Sequence, residues 1–345
     1  MRPILLSELF FCVALLSGCG VPGEPLPPLL EIPAPISDLV AAQVGDQIEL
    51  SWAPPRLTTE GTRARRLDRI EIYASFYPES APVSGAPEPA DLFATISPQS
   101  APETEDRMHL NIRLDPSRPG MRAVIAAKVF NDRGRDAGFS NVVTLPLANL
   151  PEPPSALAGD VTERSVRLRW QPAARSVFGT EPAPVDGYQV FRRAPGSPAP
   201  GTMIGEAQTP EYDDASFEFE QTYAYSVRAF VRREGTVAVT RFSPEAEIAV
   251  TDRFPPAAPE DLRAVAVPGA VEIAWSPNEE ADLAGYFVYR NSGGGFERIH
   301  AEPLRIPVFR DAQVRPGAEY RYHVRAIDRK GNESEPSEEA ALTAE

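Results

Sequence analysis

Three histidines, two cysteines and two knots of charge are the residues of this chain whose types could do chemistry. His109, His300 and His323 are far apart and show neither a His-x-x-x-His spacing nor a carboxylate cluster that would suggest a metal. His323, between Tyr322 and Val324, falls at an outward strand position and reads as a solvated imidazole. No G-x-S-x-G elbow, P-loop or G-x-G-x-x-G occurs. "GGG" at 293–295 lies between two strand patterns and reads as a hairpin turn, and "NEEADL" (278–283) lacks the alternating spacing of a calcium loop. "TRARRLDR" (62–69) sets Arg63, Arg65, Arg66 and Arg69 in one loop. Such a loop either meets acidic lipid headgroups or polyanionic glycans, or is simply solvated. With no acid/base pair in sight, no enzyme, cofactor or metal site is expected.

The remaining reactive group is a thiol. "ILLSELFFCVALL" (4–16) follows Arg2 and has the length of a signal-peptide core, too short to span a bilayer as a mature helix. Leu16-Ser17-Gly18-Cys19 then resembles the bacterial lipobox. The resemblance implies that residues 1–19 end in a lipoprotein signal and that Cys19 carries covalent lipid as the mature N-terminus. At roughly 0.8 kcal/mol per buried methylene, three acyl chains exceed the two signals needed for stable anchoring. The implied location is outside the cytoplasm, lipid-anchored to a bacterial membrane, with the outer membrane or cell surface favoured where the organism has one. Cys12 leaves with the signal. Residues 20–35, "GVPGEPLPPLLEIPAP", carry no period able to bury a face and read as an extended proline-rich tether.

Composition bounds what lies beyond. The chain has 38 prolines in 345 residues, which opposes long helices, and no cysteine after residue 19, which removes disulfides as a staple. A net charge of −15 opposes binding to a nucleic-acid backbone. Packed β cores must supply the stability.

Those cores are written three times. "IELSWAP" (48–54), "VRLRWQP" (166–172) and "VEIAWSP" (271–277) share one alternation that puts Trp52, Trp170 and Trp275 on the inward face with two aliphatic neighbours each. Leu39, Leu157 and Leu262 each lie thirteen residues before their tryptophan. "VRPGAEYRYHVRAIDRKGNESEPS" (314–337) and "FEFEQTYAYSVRAF" (217–230) then place Tyr320 and Tyr223 where fibronectin type III domains carry a corner tyrosine, and the three copies together resemble that family. The resemblance implies an all-β chain of three tandem immunoglobulin-like (fibronectin type III) β-sandwiches, at 36–148, 149–252 and 253–345, each with seven antiparallel strands and with short stiff junctions between them. Structural core positions are then Trp52, Trp170, Trp275, Tyr223 and Tyr320. Repeat 1 departs from the pattern: aligning Pro119-Gly120 with Pro316-Gly317 puts Ala123 at the corner. A missing corner hydroxyl makes repeat 1 the least stable on this reading.

Repeat 1 is also the longest between tryptophan and corner, 71 residues against 53 and 45. The excess lies in residues 75–108, rich in Pro, Ala, Ser and acid, which is either a binding loop or a disordered one. Arg63, Arg65, Arg66, Phe76 and Tyr77 are the candidate interaction residues. The function expected is that of a non-enzymatic, lipid-anchored envelope spacer or protein-interaction scaffold, with a membrane and an unknown envelope protein or glycan as partners. The alternative is an accessory or carbohydrate-binding component of a polysaccharide-active system.

Overall fold

Ile48, Leu50 and Trp52 alternate with Gln47, Glu49 and Ser51, and a strand turns such neighbours to opposite faces; the three apolar residues are fully buried. The same logic builds every sheet of the computed structural model, which describes residues 30–82, 85–98, 103–104, 106–182 and 184–345. Cys12, Cys19, the signal and residues 20–29 lie outside the described residues.

Repeat 1 holds β1 (Val40–Val44), β2 (Gln47–Trp52), β3 (Leu67–Pro78), β4 (Leu92–Ile96), β5 (Glu103–Thr104), β6 (Arg107–Arg113), β7 (Met121–Asn131) and β8 (Val143–Pro146). A β1-β2-β6 sheet, with the two-residue β5 at its edge, faces a β4-β3-β7-β8 sheet. Repeat 2 follows with β9 (Ser155–Val161), β10 (Val166–Gln171), β11 (Gly187–Arg193), β12 (Thr202–Ala207), β13 (Glu211–Asp214), β14 (Gln221–Arg233), β15 (Thr236–Val239) and β16 (Ala246–Val250). Its sheets are β9-β10-β13 and β12-β11-β14, with β15 and β16 both pairing β14. Repeat 3 closes the chain with β17 (Arg263–Val267), β18 (Ala270–Ala274), β19 (Leu283–Asn291), β20 (Phe296–Arg298), β21 (Val308–Asp311), β22 (Glu319–Asp328) and β23 (Ala340–Thr343), as β17-β18-β21 against β20-β19-β22-β23. Each repeat is thus a sandwich of three strand positions against four, with β5 added at the edge of the smaller sheet in repeat 1 and the fourth position of repeat 2 divided between β15 and β16, the immunoglobulin-like sandwich of the fibronectin type III class. Its interior is a separate apolar cluster around Trp52, Trp170 or Trp275.

Two sequence expectations change here. Residues 30–35 are docked on repeat 1: Thr59 N donates to Ile32 O at 2.9 Å, and Ala34 N to Leu57 O at 3.0 Å. Pairing of these backbone groups makes residues 30–35 part of repeat 1, because a polyproline-like segment bonded along its edge no longer swings. The excess of repeat 1 is not one loop either. Phe76 and Tyr77 continue β3, paired with Ala123 and Arg122 of β7, and β4 adds a further paired strand at Leu92–Ile96. Extending β3 covers Phe76 against the core, which an exposed loop would not do.

Between repeats 1 and 2 the chain does more than connect. Val44 of β1 pairs in parallel with Val239 of β15, so the four-stranded side of repeat 2 runs on into the β1-β2-β6 sheet of repeat 1. Ala148, Leu150, Val231 and Ala238 form their own buried cluster at this joint. Gln43, fully buried, donates Nε2 to Ala148 O at 2.8 Å and accepts from Ala148 N at 2.8 Å. Removing that amide strands two buried backbone groups at about 1–3 kcal/mol. Because Val44 pairs with Val239 and the Ala148 cluster spans both repeats, repeats 1 and 2 are expected to melt in one calorimetric transition, which Gln43→Ala moves to lower temperature, whereas two separate wild-type transitions would contradict a shared joint.

Candidate interaction surfaces and buried polar clusters

The corner hydrogen bonds come first, because they fix the loops around them. Arg315 N donates to the Tyr320 hydroxyl at 2.9 Å, and Glu218 N to that of Tyr223 at 3.1 Å. In the strand register Tyr320 faces Leu342, Tyr223 faces Ile248 and Ala123 faces Leu145, so Ala123 occupies the corner position of repeat 1. A left-handed residue precedes each corner: Gly120 and Gly317 supply it in repeats 1 and 3, whereas Glu220 adopts φ 63° in repeat 2.

Beneath the corners lie two clusters that resemble catalytic constellations in composition. In repeat 2, Asp214 accepts from the Tyr225 hydroxyl at 2.9 Å and from Arg192 Nη1 at 2.7 Å. In repeat 3, Asp311 accepts from the Tyr322 hydroxyl at 2.9 Å and from Arg290 Nη1 at 2.8 Å. Burial would raise the Asp214 carboxyl, but the Ser216 hydroxyl and amide, Tyr225 and Arg192 outweigh it and hold it below the ordinary carboxylate range. Burial and then the neighbouring carboxylate push both tyrosines up. Asp214 and Asp311 are 2% and 3% exposed, so these groups satisfy one another inside the sandwich instead of facing a substrate. Repeat 1 replaces the whole set. Ala74 pairs Ile125 as Arg192 pairs Tyr225, and Leu114 stands six residues before Gly120 as Asp311 stands six before Gly317.

The histidines divide differently from the sequence expectation. His323 is buried, stacked on Tyr289 at 5.0 Å and against Phe296 at 4.3 Å. Burial, then the Arg325 charge, lowers its pKa, so a solvated imidazole is incorrect: the outer face of the β19–β22 pair is covered by aromatic rings. His300 accepts from Val288 N through Nε2 at 3.0 Å and serves the backbone. Alternation alone missed these covers. It also missed a hydroxyl stitch after each β7-type strand: Ser140, Thr240 and Ser334 accept from Ala127, Ala229 and Ala326 N, and Ser243 and Ser337 from Val227 and Val324 N. The T-x-x-S and S-x-x-S spacings of repeats 2 and 3 are its sequence signal.

At the second junction, carboxylate oxygens of Asp252, Asp282 and Asp328 lie within 4.8 Å of one another. Asp328 is committed to its own loop, accepting from Lys330 N and Asn332 N. Asp328 therefore shapes the turn at 328–332.

One pole of repeat 1 is basic. Arg56, Arg63, Arg65 and Arg66 are exposed on the loop between β2 and β3, and Arg133 and Arg135 are exposed on the β7–β8 loop beside it. Asn131 joins the β7–β8 loop to the incoming chain, its Nδ2 donating to Glu31 O at 3.2 Å and its Oδ1 accepting from Arg133 and Arg135 N at 3.0 Å each. Arg56 pairs with Asp106, and Arg66 with Glu31 and Asp132. Among the described residues Arg63, Arg65, Arg133 and Arg135 have no acidic partner. The sequence brought Arg63, Arg65 and Arg66 together; only the fold adds the second loop. Phe76 and Tyr77 lie on β3, with Arg118 stacked over Phe76 at 4.1 Å.

No family model matches the chain. It is 32% identical over 219 residues to exoglucanase B of Cellulomonas fimi, which covers 59% of this chain and 18% of that enzyme. It is 38% identical over 88 residues to an amylopullulanase of Thermoanaerobacterium saccharolyticum, 25% of this chain and 7% of that one. The chain thus spans less than a fifth of the curated relatives it matches. The chicken CNTN1 FN1–FN3 domains align over 90% of this chain and 99% of theirs at 16% identity and a TM-score of 0.28. The chain is a tandem of three fibronectin type III-like sandwiches. Its strand order and three repeated cores carry that statement.

Proposed function

We propose that this chain is a non-catalytic accessory array of a polysaccharide-active system, held at an envelope membrane by lipid on Cys19. The observation that carries the reading is the 32% identity over 219 residues to a stretch of an exoglucanase, in a chain whose described polar clusters are consumed by the sandwiches themselves. Asp214 and Asp311 have Arg, Tyr and backbone partners at hydrogen-bond distance and are sealed from solvent, so they bind no glycosidic oxygen. The sandwiches then act by position, holding a partner at a distance or offering it a surface. A second reading, a plain spacer or protein-interaction scaffold, is favoured by the buried joint between repeats 1 and 2, since a stiff pair transmits reach better than a flexible one.

Two measurements test the proposal. Cys19→Ser should move the protein from the detergent phase to the aqueous phase on partitioning, because acyl chains supply nearly all the membrane affinity; unchanged partitioning refutes the anchor. Pull-down of the exported chain on insoluble cellulose and starch, and on glycosidases from the same envelope, should retain it on one of them. Retention on none, with a co-purifying complex free of glycosidases, leaves the spacer.

A further inference from the structure

The entry poles of repeats 1 and 2 are built the same way. Val177 N donates to Leu150 O as Thr59 N does to Ile32 O, and Glu152 N to Arg175 O as Ala34 N does to Leu57 O. The linker into repeat 2 and the segment entering repeat 1 therefore dock on equivalent loops. In repeats 2 and 3 the hairpin tip at that pole touches the repeat before it. Glu234 pairs with Arg122 of repeat 1 at 2.6 Å, and Lys330 with Glu220 of repeat 2 at 3.4 Å. In repeat 1 the equivalent tip carries Arg133 and Arg135, exposed, beside exposed Arg63 and Arg65. What stands before it is the stretch back to Cys19.

We propose that this pole, through Arg63, Arg65, Arg133 and Arg135, is a contact surface for the anionic headgroups of the bilayer to which the chain is tethered. The inference rests on the anchored reading for its orientation. Ten residues separate Cys19 from Leu30, and at ~3.1 Å per residue an extended stretch holds the pole no farther than about 31 Å from the lipid. A less extended path brings it closer, and a compact one reaches the roughly 8–10 Å over which surface charge is felt at physiological salt. The chain as a whole carries −15, so an anionic surface repels its remainder and favours this end alone. The acids at the pole are largely occupied: Asp106, Glu31 and Asp132 by Arg56 and Arg66, and Glu60 by the Leu30 amide at 3.3 Å. Four arginines remain to meet phosphate, bidentately where geometry allows.

The test uses the exported chain carrying Cys19→Ser, so that lipid on the protein contributes nothing and failure of the anchor reading is measured separately. Co-sedimentation with phosphatidylcholine vesicles containing phosphatidylglycerol should exceed that with phosphatidylcholine alone, and should vanish at high salt. An arginine near such a surface contributes about fivefold in partitioning. Arg63→Ala/Arg65→Ala/Arg133→Ala/Arg135→Ala should therefore lose binding by roughly 600-fold, with an unchanged thermal melt. Removing the exposed Arg263, Arg305 and Arg315 of repeat 3 should change nothing. No phosphatidylglycerol dependence, or equal loss in the repeat 3 variant, overturns the proposal. Arginine-dependent binding to dextran sulfate without vesicle binding also overturns it and assigns the pole to a polyanionic glycan.

Discussion

Trp275→Ala unfolds repeat 3 and spares the other two. Trp275 fills the centre of a cluster with Tyr286, Val288, Tyr322 and Val324, and packs edge-on against Tyr286 with ring centroids 5.2 Å apart. Truncating a buried aromatic of this size costs about 3–5 kcal/mol, out of the ~5–15 kcal/mol a domain holds. The indole Nε1 has no protein acceptor, so Trp275→Phe forfeits only packing and is expected to cost less than alanine. Hydrogen exchange resolved by peptide checks this: protection should collapse over β17–β23 in the alanine variant and persist over β1–β16. Loss of protection throughout would mean that the second junction couples repeats 2 and 3 as tightly as the first couples 1 and 2.

The second large effect comes from Asp214→Ala. Asp214 accepts from Tyr225, Arg192 and Ser216, and removing it leaves a buried hydroxyl and a guanidinium that is only partly exposed without their anion. Breaking such a set from one side costs about 3 kcal/mol. Repeat 1 indicates the remedy, since Ala74, Leu114 and Ile125 occupy the same three places as a dry apolar set. Transplanting it, as Arg192→Ala/Asp214→Leu/Tyr225→Ile, is expected to recover at least half the loss, because replacing every member of a buried ion pair removes the desolvation cost along with the attraction. pH separates the variants. The folded carboxyl of Asp214 titrates below its unfolded value, so its contribution is fully present above the unfolded pKa and is lost as pH falls through the folded one. Urea melts of the wild type should weaken on acidification more than those of the triple variant. Parallel curves would show that Asp214 adds no net stability.

That substitution set also changes what the missing corner means. Ala123 forfeits the bond that Tyr320 makes to Arg315 N, yet among the described residues the same repeat carries no buried carboxylate to satisfy, and it shares the Ala148 cluster with its neighbour. Ranking repeat 1 as the weakest from one hydroxyl counts a single member of a coordinated change.

What the amino-acid sequence determined by itself was periodic. Strand alternation writes the inward face directly into every second residue, so Trp52, Trp170, Trp275 and their aliphatic partners, the corner tyrosines and the threefold repeat could all be read from spacing. Only the tertiary structure decided what meets across sheets and between repeats. His323 alternates outward and is nevertheless buried, because Tyr289 and Phe296 from neighbouring strands close over it. Gln43 reads as any polar strand residue until the chain leaving β8 brings both backbone groups of Ala148 to its amide. Arg133 and Arg135 join Arg63 and Arg65 although some seventy residues separate the two loops, because strand pairing brings distant loops to one pole of a sandwich. Period and spacing are local properties of a chain, whereas burial of an outward face and the meeting of loops depend on which strands become neighbours.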